Sequence, residues 1–208
     1  MRSFFSKYLA ETCYLLVIIT TPLSWKILST NLVIFILAVA AGFIILRNYP
    51  AKYQPRNYLV LITIILTLLF IQFKNVNLQH QYSLNDYQKQ VIQRRVALYP
   101  KGFKKLGNIF ESNKEINVLR KIKSNFFEIF ELKFLFWGNF LILSLPFFII
   151  GIYLFFKKIT KEETIFLFVI LVINSILGIK NNFGLISLYP FFSSFIAIGV
   201  VGFFKKFL

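Results

Sequence analysis

The chain has 208 residues, of which 57% are apolar and 15% are charged, and its formal net charge at pH 7 is +16. About a quarter of the residues in an average soluble domain are charged, so this composition argues against an ordinary soluble globular protein. Because the apolar residues form runs close to the roughly 20 residues that a helix needs to cross a bilayer, the sequence predicts an all-α, polytopic helical membrane protein.

Six apolar runs are predicted to be transmembrane helices. They are Leu9–Trp25, Ile27–Leu46, Tyr58–Phe73, Leu132–Phe156, Ile165–Ile179 and Gly184–Phe204. The first follows the basic start "MRSFFSKY" and can also be interpreted as a signal peptide, but the second begins so soon afterwards that we favour a retained helix. The runs divide the chain into an N-terminal membrane region (1–73), a basic extramembrane segment (74–131) and a C-terminal membrane region (132–208), and we call 74–131 the basic segment.

The orientation of the spans follows from the cations in the short connections, because cytoplasmic loops carry an excess of Lys and Arg. Two cations lie on one side, Lys26 and Lys180. Ten lie on the other: Arg2, Lys7, Arg47, Lys52, Arg56, Lys157, Lys158, Lys161, Lys205 and Lys206. This bias predicts a multi-pass protein of the cell (inner) membrane with both termini in the cytoplasm and the basic segment outside. If one early helix does not span, the basic segment is cytoplasmic instead.

The basic segment is predicted to contain three amphipathic helices. The first, "SLNDYQKQVIQRRVALYP", has apolar side chains three or four residues apart and ends at Pro100 and Gly102, which are typical helix terminators. A second short helix covers Phe103–Phe110, and a third begins near Asn113.

The polar faces of these helices carry the candidate site residues. A basic amphipathic helix beside a membrane commonly lies in the interface and attracts anionic lipids. We therefore expect contacts with the bilayer, with anionic lipid headgroups or an anionic polymer, or with a protein partner. The residues predicted to make them are Arg94, Arg95, Lys101, Lys104, Lys105, Arg120 and Lys121. The alternative is a solvated face whose apolar stripe packs against its neighbours. We do not expect a nucleic acid as partner, because no recognised binding motif occurs.

Residues that would carry chemistry are sparse. The chain has a single histidine, His80, and a single cysteine, Cys13, and it lacks metal-binding motifs, a glycine-rich phosphate loop and a serine nucleophile elbow. Four glutamates of the basic segment have helical surface spacing beside Lys and Arg, which favours salt pairs over acid–base roles: Glu111, Glu115, Glu128 and Glu131. We accordingly expect no catalytic residue, no metal and no cofactor.

Several residues in or near the spans are candidates for packing roles. Hydrogen bonds between helices are expected from three asparagines: Asn31, Asn139 and Asn174. Kinks in the fourth and sixth spans are expected at two prolines: Pro146 and Pro190. Close contact between helices is expected at Ala38 and Gly42, which have small-xxx-small spacing.

The last apolar run, "GLISLYPFFSSFIAIGVVGFF", resembles the last spans of the polyprenyl-phosphate-dependent integral-membrane glycosyltransferases. In that family a Leu-Tyr-Pro sequence commonly opens a late span at the outer surface, and Leu188, Tyr189 and Pro190 match it. The resemblance implies a protein that handles lipid-linked sugars. Those enzymes also have many more spans and an acidic motif in the first outer loop. That loop carries no Asp or Glu here, so the resemblance does not imply catalysis.

A second resemblance covers the basic segment and the spans after it. Arg94, Arg95, Leu98, Tyr99 and Pro100 form an Arg-Arg-x-x-Leu-Tyr-Pro stretch, and an Asn-Phe-Phe-Glu stretch precedes the fourth span. Both are similar to stretches in a group of uncharacterised multi-span membrane proteins of candidate-phylum bacteria. This resemblance implies a fold and no activity.

These observations favour a non-catalytic integral membrane protein, an anchor or interaction subunit whose basic segment contacts the membrane surface or a partner. One alternative is a transferase-like protein that handles lipid-linked sugars. The other is a small transporter or channel, active as a homo-oligomer.

Overall fold

The structure is a computed structural model that describes residues 2–49, 55–76, 82–83, 86–178 and 183–207. Helices and short connections account for all of these residues, and no strand occurs within those ranges. The predicted all-α class is therefore confirmed.

The helices are named here in chain order. They are α1 (Arg2–Thr20), α2 (Pro22–Thr30), α3 (Leu32–Asn48), α4 (Pro55–Lys74), α5 (Asp86–Leu98), α6 (Lys104–Ser112), α7 (Lys114–Ile129), α8 (Leu132–Gly138), α9 (Leu145–Phe156), α10 (Lys161–Leu177) and α11 (Tyr189–Phe207). Short 3-10 turns lead into two of them: Lys101–Phe103 precedes α6, and Ile142–Ser144 precedes α9.

Few of these helices are long and apolar enough to cross a bilayer. One meets the criterion by itself, the Asn57–Lys74 part of α4, with a mean hydropathy of 1.8. Tyr8–Thr20 and Pro22–Thr30 would make a second only as one broken span, because they are bent by 72°. Three further apolar helices are shorter: Leu32–Asn48, Ile142–Phe156 and Tyr189–Phe204. By length and composition, the described helices thus account for one or two of the six predicted spans.

The first predicted span is not one straight helix. Pro22 opens α2, and its missing N–H and fixed φ suit the first helical turn and not a helix interior. Thr21 before it is extended, with φ −84° and ψ 121°. The chain therefore turns between α1 and α2.

The second predicted span begins later than expected, at Leu32. Asn31 has extended backbone, and its Oδ1 accepts hydrogen bonds from the N–H groups of Val33 (2.9 Å) and Ile34 (3.2 Å). It is therefore the N-cap of α3, and the prediction that Asn31 bridges two helices is wrong.

The fourth predicted span is also interrupted, since α8 ends at Gly138 and α9 begins only at Leu145. Asn139 lies in the break, where its main-chain carbonyl oxygen accepts a hydrogen bond from the Leu23 N–H at 3.0 Å. Pro146 lies in the first turn of α9, and Pro190 lies in the first turn of α11. Both prolines start helices, and the predicted kinks are absent at these two positions.

The other predicted spans differ from the helices mainly at their ends. Helix α4 extends the predicted Tyr58–Phe73 by a few residues. Helix α10 ends at Leu177 and is followed by Gly178, whose φ of 75° suits glycine, whereas Ile179 lies outside the described residues. Helix α11 begins at Tyr189 and not at Gly184.

Helix α11 is the centre of the fold, and α1, α3 and α9 pack around it. Gly151 of α9 and Gly199 of α11 bring two backbones together: a Cβ at Gly199 would lie 1.8 Å from the carbonyl oxygen of Phe147. Gly42 of α3 faces the ring of Tyr14, so the contact between helices predicted at this position is present.

The connections lie at two opposite ends of this bundle. At one end, the Asn57 Nδ2 donates to the Asn48 Oδ1 at 3.0 Å, and the Tyr49 hydroxyl donates to the Leu154 carbonyl oxygen at 3.0 Å. At the other end, the hydroxyls of Ser24 and Tyr189 share a hydrogen bond of 2.6 Å. The end of α3, the start of α4 and the end of α9 are therefore separated from the starts of α2 and α11.

Candidate functional site

The predicted helices of the basic segment are present. Helix α5 ends at Leu98, directly before Tyr99 and Pro100, and α6 follows the 3-10 turn. The Asn113 side chain caps α7 by accepting a hydrogen bond from the Glu115 N–H at 2.8 Å. The local turn and cap signals therefore position all three helices. His80, the single histidine of the chain, lies outside the described residues.

Glu111 joins the three helices. Its carboxylate accepts hydrogen bonds from Arg120 Nη1 (2.5 Å) and Nη2 (3.0 Å) on α7, and from the Tyr99 hydroxyl at 3.3 Å after α5. Arg95 Nη1 of α5 lies 3.8 Å from the same carboxylate. The hydrogen bonds from Arg120 are the main reason that the pKa of Glu111 is lowered.

The salt pair expected for Glu111 is thus present, but the expected surface position is wrong. Glu111 is only 5% exposed, and its partners lie on two other helices. Sequence spacing could not reveal this, because Glu111 and Arg120 belong to different helices. Gly107 is the residue that could have indicated close packing of Tyr99 on α6. A Cβ at position 107 would lie 2.7 Å from the Tyr99 ring, so only glycine leaves room for the ring there.

An apolar groove lies beside this ion pair and shares Tyr99 with it. It has a volume of about 530 Å³ and lies between the end of α5, α6 and the start of α7. Its lining residues are Tyr99, Pro100, Phe103, Leu106, Gly107, Ile109, Phe110, Asn113 and Ile116. Several are large and open to the surroundings, with Ile109 70% and Leu106 62% exposed. Sequence periodicity identified this apolar face but not the groove.

The seven predicted site residues fall into two groups. Five cations are exposed: Arg94, Arg95, Lys101, Lys104 and Lys105. Among these, Arg95 lies 3.8 Å from the Glu111 carboxylate. The other two, Arg120 and Lys121, are half-buried, and the Arg120 guanidinium donates two hydrogen bonds to Glu111.

The basic segment is attached to the bundle through α7 and α10. The Asn125 Nδ2 is buried and donates a hydrogen bond to the Ser175 carbonyl oxygen at 2.8 Å. The Tyr82 hydroxyl donates to the Ile176 carbonyl oxygen nearby. The segment is therefore held at the end of α10 that also carries Asn174.

A second group of polar side chains is fully buried between α4, α10 and the turn before α11. Gln72 Nε2 donates to Asn174 Oδ1 and to the Gly184 carbonyl oxygen, both at 3.0 Å, and Ser187 Oγ lies 2.9 Å from Gln72 Oε1. Asn174 thus bridges helices as predicted. These groups pair with one another, which makes the cluster a structural bridge.

The residues that carry the glycosyltransferase resemblance are also buried. Leu188 and Tyr189 are 0% exposed, and the Tyr189 ring stacks on Phe140 with centroids 6.2 Å apart. The Tyr189 hydroxyl is engaged with Ser24 at 2.6 Å. These residues hold the break between α8 and α9 against the start of α11.

Within the described ranges, no group of three or more His, Cys, Asp or Glu side chains could hold a metal ion. The chain matches no protein-family model, no curated protein and no solved structure. The features of the described residues that bear on function are the exposed cations, the apolar groove and the ion pair beside it.

Proposed function

We propose that this chain is a non-catalytic integral membrane protein whose basic segment binds the anionic surface of the bilayer that holds it. The observation that carries the proposal is an exposed apolar face on α6 with exposed cations beside it. Phe103, Leu106, Ile109 and Phe110 are each more than half exposed, and Lys104 and Lys105 lie in the first turn of the same helix. This combination is typical of helices that lie in a membrane interface.

The membrane location of the bundle is supported by its own apolar surface. Helix α4 presents Leu59, Leu66 and Phe70 with more than half of each side chain exposed, and α10 presents Ile165 and Phe168 likewise. Apolar faces of this kind mark interaction or membrane surfaces. The opposite ends of the bundle also support the predicted orientation, since the end of α3, the start of α4 and the end of α9 lie together, away from the end that holds the basic segment.

Electrostatics favours a lipid surface over a neutral partner. Each Lys or Arg near an anionic membrane contributes about 1 kcal/mol. The four exposed cations other than Arg95, which are Arg94, Lys101, Lys104 and Lys105, would therefore contribute about 4 kcal/mol, or on the order of a thousandfold in affinity. No acidic side chain lies in the first turn of α6 to oppose them.

The transferase-like alternative requires a carboxylate that faces a cavity. The lining of the groove includes no carboxylate among the described residues, and Glu111 beside it is bound to Arg120. We therefore do not extend that alternative.

The proposal is tested in nanodiscs that hold the full chain. Ile109→Cys in a Cys13→Ser background is labelled with an environment-sensitive fluorophore, and quenching by brominated acyl chains is measured. We expect strong quenching in anionic phosphatidylglycerol bilayers and weak quenching in zwitterionic phosphatidylcholine bilayers. Replacing the same four exposed cations with Gln should abolish that difference.

A matched control removes cations elsewhere. Lys157→Gln with Lys161→Gln neutralises two exposed cations at the other end of the bundle and should leave the quenching at position 109 unchanged. A label that remains equally water-exposed in both bilayers would refute the proposal.

A further inference from the structure

We infer that the groove is a discrete site for one acyl chain of an anionic, phosphate-bearing lipid, whose headgroup is held by Lys101 and Lys104. The inference rests on the proposed function and makes it more specific. General contact with a bilayer surface requires only an apolar face, whereas a site binds lipid with a fixed stoichiometry and a defined position.

The shape of the groove supports a chain-sized occupant. Its volume of about 530 Å³ falls within the roughly 300–1,000 Å³ of small-molecule sites. Nine residues line it, whereas a standard protein interface engages about 20–30 residues on each side. A lipid chain therefore matches the groove better than a second copy of this chain or a protein partner.

Contacts outside the groove hold its lining residue Tyr99 in place. The Tyr99 ring packs against Gly107, and the Tyr99 hydroxyl bonds to Glu111 at 3.3 Å. Glu111 is in turn bound by Arg120 across the helix interface. These contacts link Tyr99, α6 and α7, so that the groove between them is formed in the structure.

The charges at the groove are complementary to a phosphate. Lys101 and Lys104 are exposed and flank the lining residue Phe103, and Lys105 follows in the same turn. Glu111 of the same helix α6 is buried and paired with Arg120, so it does not neutralise these cations. An acyl chain in the groove would bring its phosphate to this basic edge, where charge-assisted hydrogen bonds with lysine form readily.

The test uses a photoactivatable probe with the full chain in phosphatidylcholine nanodiscs. The probe is a lysophosphatidic acid with a diazirine in its acyl chain. We expect labelling that saturates at one probe per chain and maps to residues 99–116. Unlabelled lysophosphatidic acid should compete, whereas lysophosphatidylcholine and inorganic phosphate should not.

Two variants with the same substitution separate the groove from its surroundings. Leu106→Trp fills the groove and should reduce labelling about tenfold, whereas Leu119→Trp, at a position of similar exposure outside the lining, should leave it unchanged. Lys101→Gln with Lys104→Gln keeps the groove open and should weaken binding of the probe about tenfold to a hundredfold.

The outcomes distinguish the inference from the proposed function. Labelling that spreads over α4 and α10 without saturation, or cross-linking of the segment to a second chain, would overturn the site. So would competition by inorganic phosphate. If quenching at position 109 still depends on anionic lipid in any of these cases, the proposed function stands without the site. If both the saturable labelling and the dependence of quenching on anionic lipid are lost, the lipid site and the proposed function are both rejected.

Discussion

Replacing Glu111 with Gln should loosen the basic segment without unfolding the bundle. Breaking a fully buried ion pair costs about 3–5 kcal/mol, because one charge is left without its partner. The Arg120 side chain is 33% exposed, so water recovers part of this loss. We therefore expect the opening free energy of α6 and α7 to fall by about 2 kcal/mol.

Hydrogen exchange of the full chain in nanodiscs measures this change. A loss of about 2 kcal/mol corresponds to roughly 30-fold faster exchange of the α6 and α7 amides at neutral pH. The direction in which the stability of the segment changes with pH follows from the lowered pKa of Glu111. Its contribution is fully present above the unfolded value of about 4.3 and is lost as the pH falls through the folded pKa. Wild-type protection should therefore fall in acid, toward that of Glu111→Gln.

The matched control is Glu115→Gln, which removes an exposed carboxylate from the same segment. We expect it to change the exchange of α6 by a few tenths of a kcal/mol at most, as surface charges do. Equal protection in Glu111→Gln and Glu115→Gln would refute a structural role for the Glu111 ion pair. An acid-dependent loss of α6 and α7 protection that persists in Glu111→Gln would also refute that role.

Three further predictions concern the bundle and its orientation. Gly199→Ala should lower the midpoint of thermal unfolding by overpacking, at a cost of about 1–3 kcal/mol or more, since its Cβ would meet backbone atoms; Gly102→Ala, with nothing within 4 Å, should be neutral. Asn174→Ala takes an acceptor from buried donors, so it should cost about 1–3 kcal/mol in the same assay. Lys114→Cys in a Cys13→Ser background should react with an impermeant maleimide on intact cells, and labelling only after lysis would place the basic segment in the cytoplasm.

Local signals predicted the basic segment well because each helix boundary is set by nearby residues. Pro100 follows the end of α5, and Asn113 caps α7 through its own side chain. Helix α4 was also predicted to within a few residues, since one uninterrupted apolar run forms one helix. In both cases hydropathy, caps and terminators all indicate the same helix boundaries.

The interrupted spans show where hydropathy alone fails. An average over about twenty residues is insensitive to a single cap or proline, yet Pro22 and Asn31 each start a helix inside an apolar run. The break between α8 and α9 has a similar signal at its far side, where Pro146 lies in the first turn of α9. It is stabilised by the Leu23 N–H, which comes from a distant part of the chain.

The charges of the basic segment demonstrate the same limit for the candidate site. From the sequence, Arg94 and Arg95 are equivalent neighbours and Arg120 is one more cation on an amphipathic helix. The fold distinguishes them, because the buried Glu111 binds Arg120 and lies 3.8 Å from Arg95, while Arg95 and Arg94 are both exposed. The Glu111 carboxylate thereby makes Arg120 a structural link between α6 and α7. The charge that remains for a partner is concentrated at the start of α6, directly beside the groove.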